Sequence, residues 1–138
     1  MAVQTKQQKR AAFALESLQD KVKQDNVEKK LATFIVGMPN MILSNGLGQS
    51  LAFLKAKGKG EHKFVFNVIK EYLCKNYEDV FGKPAQDNFQ DDDFNFLKKF
   101  TEISQGNYIK MQDETLRMLE WLKRYARAFE KEEKSSGE

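Results

Sequence analysis

The chain has 138 residues, 41% of them hydrophobic and 31% charged, with a net charge of +3. That is one domain's worth of sequence, long enough for a single buried core. No apolar run approaches the ~20 residues of a membrane span, the polar start Met1–Arg10 lacks the apolar region of a secretory signal, and one cysteine, Cys74, rules out an internal disulfide and suits a reducing cytoplasm.

The charge is unevenly spread. Residues 78–93 hold six acids against Lys83 alone, a local balance of −5 that leaves +8 on the rest. That asymmetry favours a polyanionic partner.

Residues 1–4 read as a frayed tail. Thr5 is placed to cap a first helix running to about Val22, with Ala11, Leu15, Leu18 and Val22 as its buried stripe. Lys6, Lys9 and Arg10 lie early in it, where cations oppose the helix dipole; they read either as a solvated face or as phosphate contacts. Asn26 is placed to cap a second helix, Val27–Met38, with Val27, Leu31, Phe34, Ile35 and Met38 inward.

The most apolar stretch, Pro39–Lys55, follows. Leu43, Leu47, Leu51 and Leu54 recur at helical spacing, and Pro39 suits a first turn. Gly46 and Gly48 interrupt it, and each costs about 1 kcal/mol inside a helix. The unbroken leucine register favours a continuous helix in which the glycines allow another backbone close; the alternative is a break with Gly46 as a left-handed cap. Gly58 and Gly60 end the segment amid Lys55, Lys57, Lys59 and Lys63, a loop that lacks the nucleotide-binding pattern of a P-loop.

Residues 61–76 are predicted helical, with Val65, Ile69, Tyr72 and Leu73 buried. His62, the only histidine, reads as surface, and no second histidine supports a metal site or an imidazole base; Cys74 reads as structural. Residues 77–91 read as an irregular segment tacked down by Phe81 and Phe89. Asp91–Asp93 resemble a Mg²⁺ ligand set less than an acidic helix start, and their helix is predicted to place Phe96, Phe100 and Ile103 inward and to stop at Gly106.

The last helix is predicted over Asn107–Glu132, with a core stripe of Tyr108, Met111, Thr115, Leu119, Leu122, Ala126 and Phe129. A second stripe, Arg117, Glu120, Arg124, Arg127 and Lys131, is mostly basic. Lys123 and Arg127 are like charges one turn apart, an arrangement that makes sense if an anion neutralises them. Trp121 and Tyr125 beside this patch can stack on bases or form a packing interface. Residues 132–138 read as a second frayed tail. The expected fold is all-α, a single-domain bundle of about five to six helices over 1–138, without a catalytic constellation, cofactor or metal site.

The run Pro39-Asn40-Met41-Ile42, then Asn45-Gly46-Leu47-Gly48-Gln49, then Leu51-Ala52-Phe53-Leu54, resembles the signature of the small α-helical subunit of the type III-B CRISPR-Cas RNA-silencing (Cmr) complex. Arg10-Ala11-Ala12-Phe13-Ala14 and Leu119-Glu120-Trp121-Leu122-Lys123-Arg124-Tyr125-Ala126 are similar to that family too. The resemblance implies a non-catalytic, cytoplasmic subunit in antiviral defence, stacked in several copies with other Cmr subunits beside the guide RNA/target RNA duplex. Charge clustering points to Lys123, Arg124 and Arg127, then Lys9 and Arg10, then Lys55 and Lys57, as phosphate contacts that do not read sequence. Of these, the resemblance itself supports Arg10, Lys123 and Arg124. Gly46 and Gly48 are assigned to close helix packing. The competing expectation is a helical protein-interaction adaptor with an incidental basic surface.

Overall fold

A computed structural model describes residues 3–21, 27–82 and 92–130. Seven α-helices occur among them: α1 Lys6–Lys21, α2 Lys29–Asn45, α3 Leu47–Lys57, α4 Gly60–Asn76, α5 Glu78–Phe81, α6 Asp93–Lys99 and α7 Gln105–Ala128. The only β-type pairing among the described residues is an isolated bridge between Val27 and Glu130. The fold is all-α, with one or two more helices than the periodicity suggests. By contact the chain divides into two compact units, Met1–Asn40 with Leu116–Glu138, and Met41–Thr115; α2 and α7 each contribute residues to both.

In the first unit, Thr5 and Gln8 cap α1 reciprocally. The Gln8 amide donates to Thr5 Oγ1 at 3.0 Å and the Thr5 amide donates to Gln8 Oε1 at 2.8 Å, so two of the helix's orphan donors are satisfied. The inward face of α1 is Phe13, Ala14 and Leu18 rather than the Ala11–Leu15 line, which is half-buried. Leu31, Ala32, Ile35 and Met38 of α2 are buried, as are Met118, Leu119, Leu122 and Ala126 of α7. Phe129, expected in the core, is exposed beyond the helix end, where its carbonyl accepts from the Val27 amide at 2.7 Å. Val22, Asn26 and Lys131 lie outside the described residues.

In the second unit, α3 packs on α4 and α6, and α5 on α4 and α6. Phe66, Phe81, Phe96 and Phe100 form the centre, with ring centroids 5.1–6.1 Å apart in tilted and edge-to-face pairs, the arrangement aromatic quadrupoles favour. Phe81 comes from α5, a short helix inside the stretch expected to be irregular; Phe89 and Asp91 lie outside the described residues. Asp92 caps α6, its Oδ1 accepting from the Asn95 amide at 3.0 Å. That helix ends at Lys99, well before Gly106, which instead sits in the first turn of α7, where Ser104 Oγ accepts from the Asn107 amide at 3.1 Å. Ile103 is only half-buried.

The expected continuous Pro39–Lys55 helix is broken. Pro39 lies inside α2, which runs on to Asn45, and Gly46 stands alone between α2 and α3 with φ 86° and ψ 157°. This is extended backbone of positive φ, a region open in practice only to glycine, and not the left-handed helical cap of the alternative reading. The break resets the helical phase. Leu43 is therefore 66% exposed, while Met38 and Ile42 are buried one register away. Because α3 starts anew, its first amides need partners. Long-range side chains from α7 supply them: the Leu47 amide donates to Gln112 Oε1 at 2.8 Å and the Gly48 amide to Tyr108 Oη at 2.7 Å. A Cβ at Gly48 would lie 3.1 Å from that same hydroxyl, so a side chain there would have to push the hydroxyl back by a few tenths of an ångström.

Gly46→Ala is expected to lower stability by about 1–3 kcal/mol through backbone strain, and Tyr108→Phe by about 1 kcal/mol through the stranded Gly48 amide. Urea denaturation of both variants and their double mutant checks this; the double mutant should fall short of additivity because both changes act on one junction. A Gly46→Ala protein as stable as wild type would contradict the account.

Candidate nucleic-acid interface

The sequence points to two basic clusters, which fall in separate units. The first lies on the C-terminal half of α7. Helical spacing puts Glu120, Lys123, Arg124 and Arg127 on adjoining turns. Lys123 Nζ is 3.1 Å from Glu120 Oε1, and Arg124 Nη2 is 3.7 Å from the same oxygen. Two cations thus share one carboxylate, and Arg124 keeps 70% of its side chain exposed. Arg127 Nη1 donates to Glu130 Oε1 at 2.6 Å with its side chain still half exposed. Such surface pairs are worth at most about 1 kcal/mol, so an incoming phosphate exchanges with them at little cost.

Beside this cluster, Trp121 and Tyr125 lie ring to ring at 5.8 Å. Trp121 Nε1 donates to Gln7 Oε1 at 3.2 Å, and Arg10 Nη1 donates to the same oxygen at 3.2 Å. Trp121 is thereby tied to α1. Arg10 is only 8% exposed: its position on the buried side of α1, next to Phe13 and Ala14 in phase, turns its guanidinium toward Gln7. Lys9, one residue earlier, is exposed.

The second cluster surrounds the end of α3. Lys55 and Lys57 occupy its last turn, where cations complement the helix dipole. Gly58 then closes the helix in the left-handed conformation, φ 61°, its amide bonding to the Leu54 carbonyl. Lys57 Nζ lies 5.7 Å above the Phe53 ring. Lys55 Nζ is 2.6 Å from Asp93 Oδ2, and Lys70 Nζ is 2.7 Å from Asp93 Oδ1. Burial of Asp93 works to raise its pKa, but the hydrogen bonds and charges of Lys55 and Lys70 outweigh it and hold the carboxyl below its ordinary value. His62 is not the surface residue expected: its side chain is 13% exposed, beside Glu61 and the Phe53 ring. Cys74 is half-buried.

Among the described residues, no group of three or more His, Cys, Asp or Glu is arranged to hold a metal ion, and no helix is long and apolar enough to cross a membrane. The family model described as "CRISPR-associated protein (Cas_Cmr5)" matches residues 6–129. The chain belongs to this family. It is therefore a CRISPR-associated Cmr protein, a member of a complex with other Cmr subunits. No curated protein matches it.

The Cas_Cmr5 match spans both basic clusters and the Gly46 junction. Sequence alone marks neither Asp93 nor Lys70 as a partner of Lys55. Asp93 reads there only as a helix-start acid, and Lys70 carries no signal beyond standing one residue after Ile69 in a buried stripe.

Asp93→Asn is expected to lower stability at neutral pH by roughly 3 kcal/mol, because it leaves the buried Lys70 ammonium facing a neutral amide. Since the folded-state carboxyl is held below its ordinary value, its contribution is complete above the ordinary aspartate range and is lost as pH falls through the depressed value. Denaturation curves of wild type and variant should therefore converge on acidification; a gap that persists at the lowest accessible pH would contradict the assignment.

Proposed function

We propose that this chain is a non-catalytic Cmr subunit that stacks in several copies along a cytoplasmic antiviral effector complex and holds the guide/target RNA backbone without reading its sequence. The observation that carries the reading is the charge surplus on α7, where Lys123 and Arg124 share Glu120 and Arg124 stands largely free in solvent. A phosphate there gains a charge-assisted contact while Lys123 keeps the carboxylate satisfied. Arg127 adds to the patch once Glu130 yields it, Lys9 supplies a further cation in the same unit, and Lys55 and Lys57 form the corresponding surface of the other unit. Base pairing between guide and target supplies specificity, so the protein needs only charge and spacing. Leu43, Phe94 and Ile109, exposed in the second unit, suit contact with neighbouring subunits.

The test is RNA retention by the assembled complex as a function of salt, with wild type and with Lys123→Ala/Arg124→Ala/Arg127→Ala. Each lost phosphate contact on a single strand reduces the log–log salt slope by ~0.7, so the triple variant should lose up to about 2. An unchanged slope and affinity would favour the adaptor reading, in which the basic surface is incidental.

A further inference from the structure

We infer that Lys70, buried and remote from any surface role, is a positioning residue that frees Lys55 for phosphate. The inference rests on the RNA-contact reading of Lys55 given above.

Asp93 is a single carboxylate between two ammonium groups, 2.6 Å from Lys55 Nζ and 2.7 Å from Lys70 Nζ. The two lysines are not equivalent. Each ammonium lies 5.9 Å over a phenylalanine ring, Lys70 over Phe96 and Lys55 over Phe66, but Lys70 has only 7% of its side chain exposed whereas Lys55 has 54%. Withdrawing Lys70 from Asp93 would leave charges stranded in a site with little water; withdrawing Lys55 moves an ammonium from one solvated position to another. Of the two ammonium groups on Asp93, Lys70 is therefore the inner partner and Lys55 the outer one, which faces solvent.

The inner pair also weakens the hold on Lys55. To Lys55, an aspartate already paired with Lys70 is a dipole rather than a full negative charge, because the second ammonium repels it at close range. Lys55 is thus held in a defined position yet exchanges readily onto an incoming phosphate. Without the Lys70 charge, Asp93 would bind Lys55 as a complete ion pair and the cluster would be neutral. Four α3–α4 lysines around Gly58 and Gly60 are visible in the sequence; which of them has its countercharge already satisfied by a buried partner is visible only in three dimensions.

The experiment is a double-mutant cycle in the assembled complex, read by retention of a fluorescent single-stranded oligouridylate across a salt series. Lys55→Ala should weaken binding about fivefold at 0.1 M salt and reduce the slope by ~0.7, one phosphate's worth. Lys70→Met, which keeps the volume and removes the charge, should produce the same loss although Lys55 is intact, and adding Lys55→Ala to it should cost nothing more. Lys70→Met/Asp93→Asn removes the inner pair as a unit, a milder change than breaking it, and should restore wild-type binding because nothing then retains Lys55. This rescue separates positioning from mere structural damage and serves also if Lys70→Met alone folds poorly. Loss with Lys55→Ala but full binding by Lys70→Met, or a double variant without rescue, overturns the inference while sparing the reading of Lys55. No effect of Lys55→Ala overturns both.

Discussion

The geometry of the second unit depends on a junction made by three residues. Gly46 adopts a backbone conformation closed to other residues, Leu47 is fully buried immediately after it, and Gly48 admits the Tyr108 hydroxyl to its amide. The bend separates α2 from α3, and α7 secures it by supplying Tyr108 and Gln112 as accepting caps from sixty or more positions away. Local sequence near a helix start commonly provides its own cap. Here it does not, because Gly46 has no side chain to offer, so the start of α3 is stable only when α7 is folded beside it. The direction of α3, and with it the placement of Lys55 and Lys57 at its end, follows from that dependence.

A common electrostatic device appears in both units. In each, one carboxylate serves two cations: Glu120 serves Lys123 and Arg124, and Asp93 serves Lys55 and Lys70. One cation of each set satisfies the acid while the other remains more exposed. The arrangement fixes basic side chains near the surface without cancelling their charge. It suits a protein that meets a polyanion of arbitrary sequence, for which the requirement is positive potential at regular positions rather than hydrogen bonds to base edges. It also explains how a chain of modest net charge presents distinct basic surfaces. Membership of the Cas_Cmr5 family gives that property a setting, a complex with other Cmr subunits.

Much of the helical content is legible from periodicity. The stripe Val65, Ile69, Tyr72 and Leu73 and the stripe Met111, Thr115, Leu119, Leu122 and Ala126 are buried as the spacing requires. The Gly46 region misleads because an apolar repeat counts side chains, not backbone states: the leucine spacing from 43 to 54 continues across the junction, yet Leu43 belongs to a helix of different phase. Pro39 misleads for a related reason. Burial of Ile35, Met38 and Ile42 carries α2 through a residue that lacks an amide hydrogen. For the basic clusters, sequence locates the charge but not its neutralisation. Arg10 reads like Lys9 until the fold turns it inward, and Lys70 reads as an ordinary lysine until Asp93 comes beside it from another helix.

The central claim is that these basic surfaces lie against RNA in the assembled complex. Ultraviolet cross-linking of the intact particle bound to target RNA, followed by peptide mass spectrometry, addresses it directly. The account predicts nucleotide adducts on the peptides around Lys55–Lys57 and Lys123–Arg127, and the same peptides for targets of unrelated sequence paired to matching guides. Adducts confined to other subunits, with both regions of this chain unmodified, would contradict it.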